Sequence, residues 1–493
     1  MSEAEREARR ARLAALRESG VDPYPARVAP VERIAPLRER IGDAEAAALD
    51  ASRERAAVAG RVMSMRSFGK LRFFDLVEDG VKLQASARRG EAPESVLALL
   101  DQVDVGDAVR VEGALWRTKT GELTIAASQL TMLAKSLRPL PEKWHGLQDV
   151  EARFRQRYLD LLVNEEARRA ALIRSRTVRA LRSFLDGRGF LEVETPVLQP
   201  IYGGAAARPF VTHLNVFDQR LYLRISDELY LKRLVVGGLD RVYEIGRDFR
   251  NEGISRKHNP EFTMLECYQA FTDYRGMMEL VEAMFEDVAR SVLGRTKIEV
   301  QGREIELGGP YPRMTIRDAL LGACGVDILA AADLESLRAA VRTAGLDPGD
   351  APTWGRLVDD LFSEKVEPTL IQPTFVTDYP VELSPLAKRK TSDPRLVERF
   401  ELFVAGMELG NAFSELNDPD DQRARFVEQG RAADEGDEEA HPMDEDYLRA
   451  LEHGLPPTGG LGVGVGRLVM LLADAPTLRE VELFPHLRPE PPA

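Results

Sequence analysis

The spacing of apolar and polar positions changes several times along the chain, and each change marks an element. Residues 3–19 set Leu13 and Leu16 among arginines and glutamates, a helical pattern that ends at VDPYP. Over 57–133 the period drops to two: VAGRVMSMR, LRFFDLVED, VKLQASA, DAVRVEGALWR and ELTIAASQLTML are separated by turn signals such as EDG and TKTGE. Strands at this spacing predict a small β-barrel. The stretch AKSLRPLPEKWHGLQDV holds two prolines and no period, so it reads as a linker. Helical spacing returns at about 167–186, stopped by Gly187 and Gly189, before a strand-like FLEVETPVL. Within 241–271 two strands flank the polar loop NEGISRKHNP. Helices follow in YRGMMELVEAMFEDVARSVL and in TIRDALL, where Thr315 and Asp318 suggest a capping box. LIQPTFVTDYPVELSPLAK reads as a buried strand and turn, and GLGVGVGRLVMLL as a glycine-rich strand running into a helix.

Period two on the second strand of 241–271 puts Phe262, Met264, Glu266 and Tyr268 on one face, which is apolar except for one carboxylate. Such a carboxylate requires a cation from the protein or from a ligand. On the first strand Glu244, Asp248 and Arg250 share a face, and Arg250 leads into Glu252. Glu228 stands just before a helical run with Leu229, Leu231, Lys232 and Leu234. Glu401 and Glu408 are seven apart, a same-face spacing on a helix, but the β-rich run ELFVAGMEL favours a strand and turn.

At 493 residues and 44% hydrophobic content the chain can bury sizeable cores in more than one domain. No apolar run approaches the length of a bilayer span and MSEAEREARR is not signal-like, so a soluble, cytoplasmic protein is expected. Cys267 and Cys324 lack CxxC spacing and are expected to be buried, inert thiols. A net charge of −14 sits poorly with RNA binding, but its distribution does not. Residues 415–446 hold 13 acidic and 3 basic residues, whereas 57–135 hold 11 basic and 10 acidic, and 136–180 are rich in arginine. The first 180 residues can therefore face a polyanion while the acidic segment points elsewhere.

FRNEG followed by HNPEFTMLE resembles motif 2 of the class II aminoacyl-tRNA synthetases in its lysyl form. FLEVETP resembles motif 1, and GLGVGVGR resembles motif 3. AGRV, GK and TKTGEL resemble the OB-fold anticodon-binding domain of the same family. The resemblance implies an α+β architecture: a helical extension (1–56), an OB barrel (57–135), a linker (136–150) and a catalytic domain (151–493) on an antiparallel sheet flanked by helices. It implies ATP-dependent ligation of L-lysine to tRNA(Lys) through an adenylate, with Mg²⁺ and a homodimer that includes Pro196.

By position, the resemblance gives Arg250 to the α-phosphate and amino-acid carboxyl, Phe262 to stacking on adenine, Glu252 and His258 to ATP, and Arg467 to the γ-phosphate. Glu401 and Glu408 become magnesium ligands, Glu401 also facing ATP. Gly204, Glu228, Glu266, Tyr268, Asn411, Phe413 and Glu415 become the lysine pocket, together with Arg250. Arg66, Phe73, Gln84 and Glu122 are the anticodon contacts; parity alone does not choose between Phe73 and Phe74, and the resemblance selects Phe73. Two positions depart from the pattern. Gly466 replaces the usual acid before the motif 3 arginine, which is expected to loosen Arg467, and Met407 stands where many relatives carry arginine. The first departure keeps a non-catalytic RNA-binding relative open. An aspartyl or asparaginyl enzyme is disfavoured by the acidic pocket, and a lysyl-lipid synthase by the lack of membrane spans.

Overall fold

The computed structural model describes residues 3–141, 147–434 and 441–490, so residues 142–146 of the expected linker lie outside the described residues. Internal contacts divide the chain into two compact units, Met1–Glu165 and Glu166–Ala493. That division falls later than the expected boundary at 150/151. Asp160 ties the intervening helices Val150–Arg155 and Arg157–Val163 together, accepting from Arg153 Nε at 2.9 Å and Arg157 Nη1 at 2.5 Å.

The first unit is a closed barrel of β1 (Arg55–Phe68), β2 (Leu71–Glu78), β3 (Val81–Arg88), β4 (Ala108–Arg117) and β5 (Leu123–Ala134). Its order is β1-β2-β3-β5-β4, antiparallel except for the β3/β5 pair. Val58, Val62, Phe74, Leu76, Leu83 and Ile125 fill it. The amphipathic pattern of 3–19 does form a helix, Glu3–Glu18, but one face of it is buried rather than solvated. Leu16 joins the barrel core with Ile34, Leu37 and Leu49 from the two following short helices, and Arg9 donates to the carbonyls of Val105 and Ser136. Lys135, fully buried, pairs with Asp104 at 2.6 Å and Asp107 at 2.7 Å, so the barrel is pinned shut where the linker was expected to begin.

The second unit contains β6 (Leu191–Glu192), β7 (Leu198–Gln199), β8 (Val211–Leu214), β9 (Gln219–Leu223), β10 (Arg241–Phe249), β11 (Glu261–Ala270), β12 (Lys297–Val300), β13 (Arg303–Glu306), β14 (Arg313–Thr315), β15 (Thr374–Thr377), β16 (Arg399–Val404), β17 (Met407–Ser414) and β18 (Thr458–Gly464). Eight form one sheet in the order β14-β15-β16-β17-β18-β11-β10-β6. It is antiparallel apart from its outermost pairs, β14/β15 and β10/β6. The run expected as one strand over 190–198 is broken into β6 and β7. Pro196 has no N–H for a ladder, and Thr195 N and Oγ1 donate instead to Glu244 Oε2 at 3.0 and 2.7 Å. Thr315 caps the helix Ile316–Cys324 through Asp318 N, without a reciprocal bond from Asp318. Cys267 is buried as expected, but Cys324 is only half-buried, its thiol donating to the Leu320 carbonyl.

One sheet face, carrying Leu265, Cys267, Phe400, Leu402, Ala412, Leu461 and Val463, packs on the helices Glu165–Asp186, Tyr274–Leu293 and Val465–Ala473. The other face is left to line a cavity.

Phe74 is fully buried in the barrel whereas Phe73 is part-exposed. Phe74→Ala should therefore destabilise the barrel unit by ~3–5 kcal/mol, the usual cost of a core Phe truncation. Phe73→Ala should cost under about 1 kcal/mol. Thermal melts of the two variants check this, and equal losses would reverse the assignment of core and surface.

Candidate active site

Along β11 each second residue faces the cavity, so Phe262, Met264, Glu266 and Tyr268 stand in a row about 20 Å long. Across the ladder, Gly464 pairs with Met264, Gly462 with Glu266 and Gly460 with Tyr268. The alternate glycines of β18 thus form a floor without side chains between β11 and β17. Gly460 has no room for a Cβ, which would collide with Glu415 Oε1 and the Tyr268 ring. The register continues outward, Gly462 to Asn411 on β17 and Asn411 to Glu401 on β16. Glu401 and Glu408 lie on a hairpin, as the β-rich run suggests. A bulge opposite Leu402/Phe403 shifts the alternation, which is how Glu408 and Asn411, on opposite faces in a regular strand, both reach the cavity.

Gly204, Glu228, Arg250, Glu252, His258, Phe262, Glu266, Tyr268, Glu401, Glu408, Asn411, Phe413 and Arg467 all line this one cavity of about 350 Å³. Glu415 does not line it. It is buried behind the wall, where fully buried Lys232 meets both Glu415 and Glu228. Burial alone would lower the Lys232 ammonium, but the two carboxylates hold it well above its ordinary range. Burial pushes Glu228 up to about 7 against the pull of Lys232. The pattern treated Lys232 as an ordinary helix residue. Its only signal was the i,i+4 spacing from Glu228.

Glu266 is buried and accepts from Ser226 Oγ at 2.7 Å, Tyr268 OH at 3.1 Å and Asp227 N at 3.4 Å. No cation of the chain forms an ion pair with it among the described residues. Burial raises its pKa despite these donors. Behind it, Arg224 lies near Asp227 at 3.0 Å, Glu244 at 2.6 Å and Asp248 at 3.2 Å. Glu244 and Asp248, expected on a shared face with Arg250, are therefore buried and clamped rather than lining the cavity.

Toward the other end of β11, the Arg250 guanidinium lies over the Phe262 ring at 5.0 Å. Arg467 donates to the Glu408 carbonyl at 2.7 Å and pairs with its Oε2 at 3.1 Å. Burial works against ionisation of Glu408, yet Arg467, Arg399 and Arg250 keep its carboxyl below the usual range. Glu401 behaves oppositely: burial, with Glu408 and Asp359 nearby, pushes it up to about 7 even though Arg399 pairs with it at 2.5 Å. Desolvation and the cations Arg467 and Lys257 hold His258 below its ordinary range. Arg399, Lys257, Ser226 and His441 also line the cavity and were not singled out in the sequence.

The absence of an acid at 466 does not leave Arg467 loose, because Glu408 anchors it. Position 466 is also crowded: a Cβ there would stand 2.8 Å from Leu478 Cδ2, so that side chain would have to shift, and 3.8 Å from Glu482 Oε1.

In the first unit, Arg66 (β1), Phe73 (β2) and Gln84 (β3) share one barrel face by strand parity and register. Arg66 pairs with Asp75 at 3.3 Å, and Gln84 accepts from Thr124 Oγ1 at 3.0 Å. Glu122 precedes β5 and lies near Lys82 at 3.6 Å and Arg38 at 3.8 Å. Phe73 also packs against two aromatics absent from the sequence reading, Phe68 at 6.2 Å and Trp116 at 6.4 Å between ring centroids.

Residues 149–488 match the family described as tRNA synthetases class II (D, K and N), and residues 56–133 match the OB-fold nucleic acid binding domain family. The chain is 52% identical over 485 residues to a lysine–tRNA ligase of Pelotomaculum thermopropionicum, covering 98% of this chain and 94% of the relative. It is 54% identical over 483 residues to that of Roseiflexus castenholzii, with 98% of each chain covered. For the Moorella thermoacetica lysine–tRNA ligase, identity is 52% over 479 residues, or 97% of this chain and 96% of the relative.

Introducing an acid at 466 should now disturb rather than improve the site. Gly466→Asp forces Leu478 aside and brings a second carboxylate to Glu482, so it should destabilise the second unit by roughly 1–3 kcal/mol, as overpacking does. Adding Leu478→Ala should recover part of that loss in a melting experiment. A Gly466→Asp protein as stable as the parent would contradict the crowding at 466.

Proposed function

The chain belongs to the class II tRNA synthetases of the D, K and N type, and on that premise we propose that it ligates L-lysine to tRNA(Lys) through a lysyl-adenylate. The observation that carries this reading is Glu266, a buried carboxylate surrounded by hydrogen-bond donors but with no cation of its own among the described residues. A substrate ammonium would supply the missing charge. The second wall carboxylate, Glu228, lies close enough to share that role, while Glu415 acts from behind through Lys232. An aspartate or asparagine side chain would bring no cation to this end and, for aspartate, a repelled anion.

With the amino-acid side chain held near Glu266 and Tyr268, ATP takes the Phe262 end of the row. Its adenine displaces Arg250 from the Phe262 ring, freeing a planar fork of donors for the α-phosphate and the lysine carboxylate. Lysine's carboxylate is ionised at neutral pH, so no protein base is needed to activate it. An oxygen of that carboxylate attacks the α-phosphorus, the bond to the β-phosphate oxygen breaks, and pyrophosphate leaves. Arg250 and Arg467 neutralise the charge that develops on the phosphates. A terminal ribose hydroxyl of tRNA then attacks the adenylate's carbonyl carbon, forming the ester and releasing AMP. Two carboxylates, Glu401 and Glu408, would hold a Mg²⁺, which when bound would offset triphosphate charge.

We assign anticodon contacts to Arg66, Phe73, Gln84 and Glu122. The exposed apolar residues Leu191, Val197, Leu198 and Ile201 flank Pro196 and suit a homodimer interface. Two free cysteines fit a cytoplasmic enzyme, and no helix among the described residues is long and apolar enough to cross a membrane.

The reading is tested by ATP–pyrophosphate exchange with each of the twenty amino acids. Lysine should be the substrate with the highest kcat/KM. Glu266→Gln should lower kcat/KM for lysine at least tenfold, since a lost buried charge contact exceeds ~1.4 kcal/mol, and Arg467→Ala should lower kcat. Unchanged lysine kinetics in Glu266→Gln would remove Glu266 from the pocket, and exchange with another amino acid alone would overturn the substrate.

A further inference from the structure

The barrel presents an aromatic surface larger than the anticodon contacts require. Phe68 is the last residue of β1 and is 64% exposed. A single exposed phenylalanine means little. Phe68, however, is two residues beyond Arg66 on the same strand, so by period two it continues the face that carries Arg66, Phe73 and Gln84. It meets Phe73 edge to face at 70°, and Phe73 lies nearly parallel to Trp116 at 27°. Trp116 is itself fixed, donating from Nε1 to Ser86 Oγ at 3.3 Å. The three rings form a continuous row, half-buried at Trp116 and Phe73 and open at Phe68.

The surroundings at the open end are cationic. Phe68 pairs in register with Leu71, and Leu71 with Arg88. Lys70, Arg88 and Arg89 are exposed there against one acid, Glu91, which pairs with Arg88 at 3.5 Å, and Arg89 N donates to the Lys70 carbonyl, which holds the two segments together. An exposed ring beside exposed cations suits one class of occupant, an unpaired nucleotide whose base stacks while its phosphate meets the cations. Exposed Arg66 and Gln84, which is buried with its Oε1 held by Thr124 Oγ1, are on the same face and are assigned to the anticodon above, so the occupant is the next nucleotide of the same strand.

We propose that Phe68 is a stacking platform for a loop nucleotide flanking the anticodon, extending the RNA site by one base beyond the residues that meet the anticodon itself. This inference rests on the tRNA reading given above. Because stacking is indifferent to base identity, the extra contact adds affinity without narrowing sequence choice.

The test uses the full chain and an RNA hairpin carrying the tRNA(Lys) anticodon loop. Phe68→Ala should weaken binding roughly tenfold, within the range for loss of one stacked base. Phe68→Leu, which keeps an apolar side chain but removes the ring, should lose as much, and both should melt like the parent because Phe68 contributes little to the core. Hairpins with a single abasic site at each loop position outside the anticodon then locate the base. At one position the parent should lose the same factor, and Phe68→Ala should lose nothing further. Parent-like binding by Phe68→Leu, or additive losses at every abasic position, would overturn the proposal. A parent protein that does not distinguish this hairpin from one with a scrambled loop would instead reject the tRNA reading beneath it.

Discussion

A carboxylate removed from water must find a cation or a set of donors, and the catalytic unit is arranged around that requirement. Around its cavity the chain meets the demand in three ways. Lys232 clamps Glu228 to Glu415, and Arg224 gathers Asp227, Glu244 and Asp248. Glu266 is given hydroxyls and an amide but, among the described residues, no ion-pair partner. The helix Glu228–Val236, the strands β10 and β11 and the loop carrying Gly204 therefore all converge on a carboxylate without an ion-pair partner among the described residues. On the proposed reading that deficit is a selectivity device, because a ligand carrying a positive charge relieves it.

The sheet supplies the ruler on which this chemistry is laid out. Side chains along β11 alternate between the helical core and the cavity, so four consecutive cavity positions run from an aromatic ring to a carboxylate to a tyrosine. The facing strand β18 answers each of the last three with glycine, and each intervening apolar residue packs behind. Sequence, parity and register thus give the cavity length along β11 and depth over β18. The arginines then close it: Arg467 is held by Glu408 from the neighbouring hairpin rather than by its own sequence neighbour.

Much of this was legible in the chain. The five-strand barrel, the paired strands over 241–271, the cavity-facing parity of Phe262 to Tyr268 and the hairpin holding Glu401 and Glu408 follow from short-range periodicity, which local backbone geometry enforces. What escaped depends on contacts between distant segments. The Lys232 clamp involves Glu415, far along the chain, and burial cannot be read from the i,i+4 spacing alone. The β-bulge that aligns Glu408 with Asn411 inserts a residue without a sequence marker. The crowding at 466 comes from Leu478, and the interruption of the 190–198 strand from Glu244 capturing Thr195. Phe73 and Phe74 differ by one position, and the fold, not the pattern, buries Phe74.

Glu266 has no ion-pair partner among the described residues, and on the proposed reading the substrate ammonium provides one. Equilibrium binding of L-lysine and of norleucine, which has the same backbone and chain length but ends in a methyl group, measures this directly by titration calorimetry on the unmodified protein. Loss of a charge-assisted contact in a buried site predicts that norleucine binds at least a hundredfold more weakly, corresponding to about 2.7 kcal/mol or more. Comparable affinities for the two ligands would contradict it.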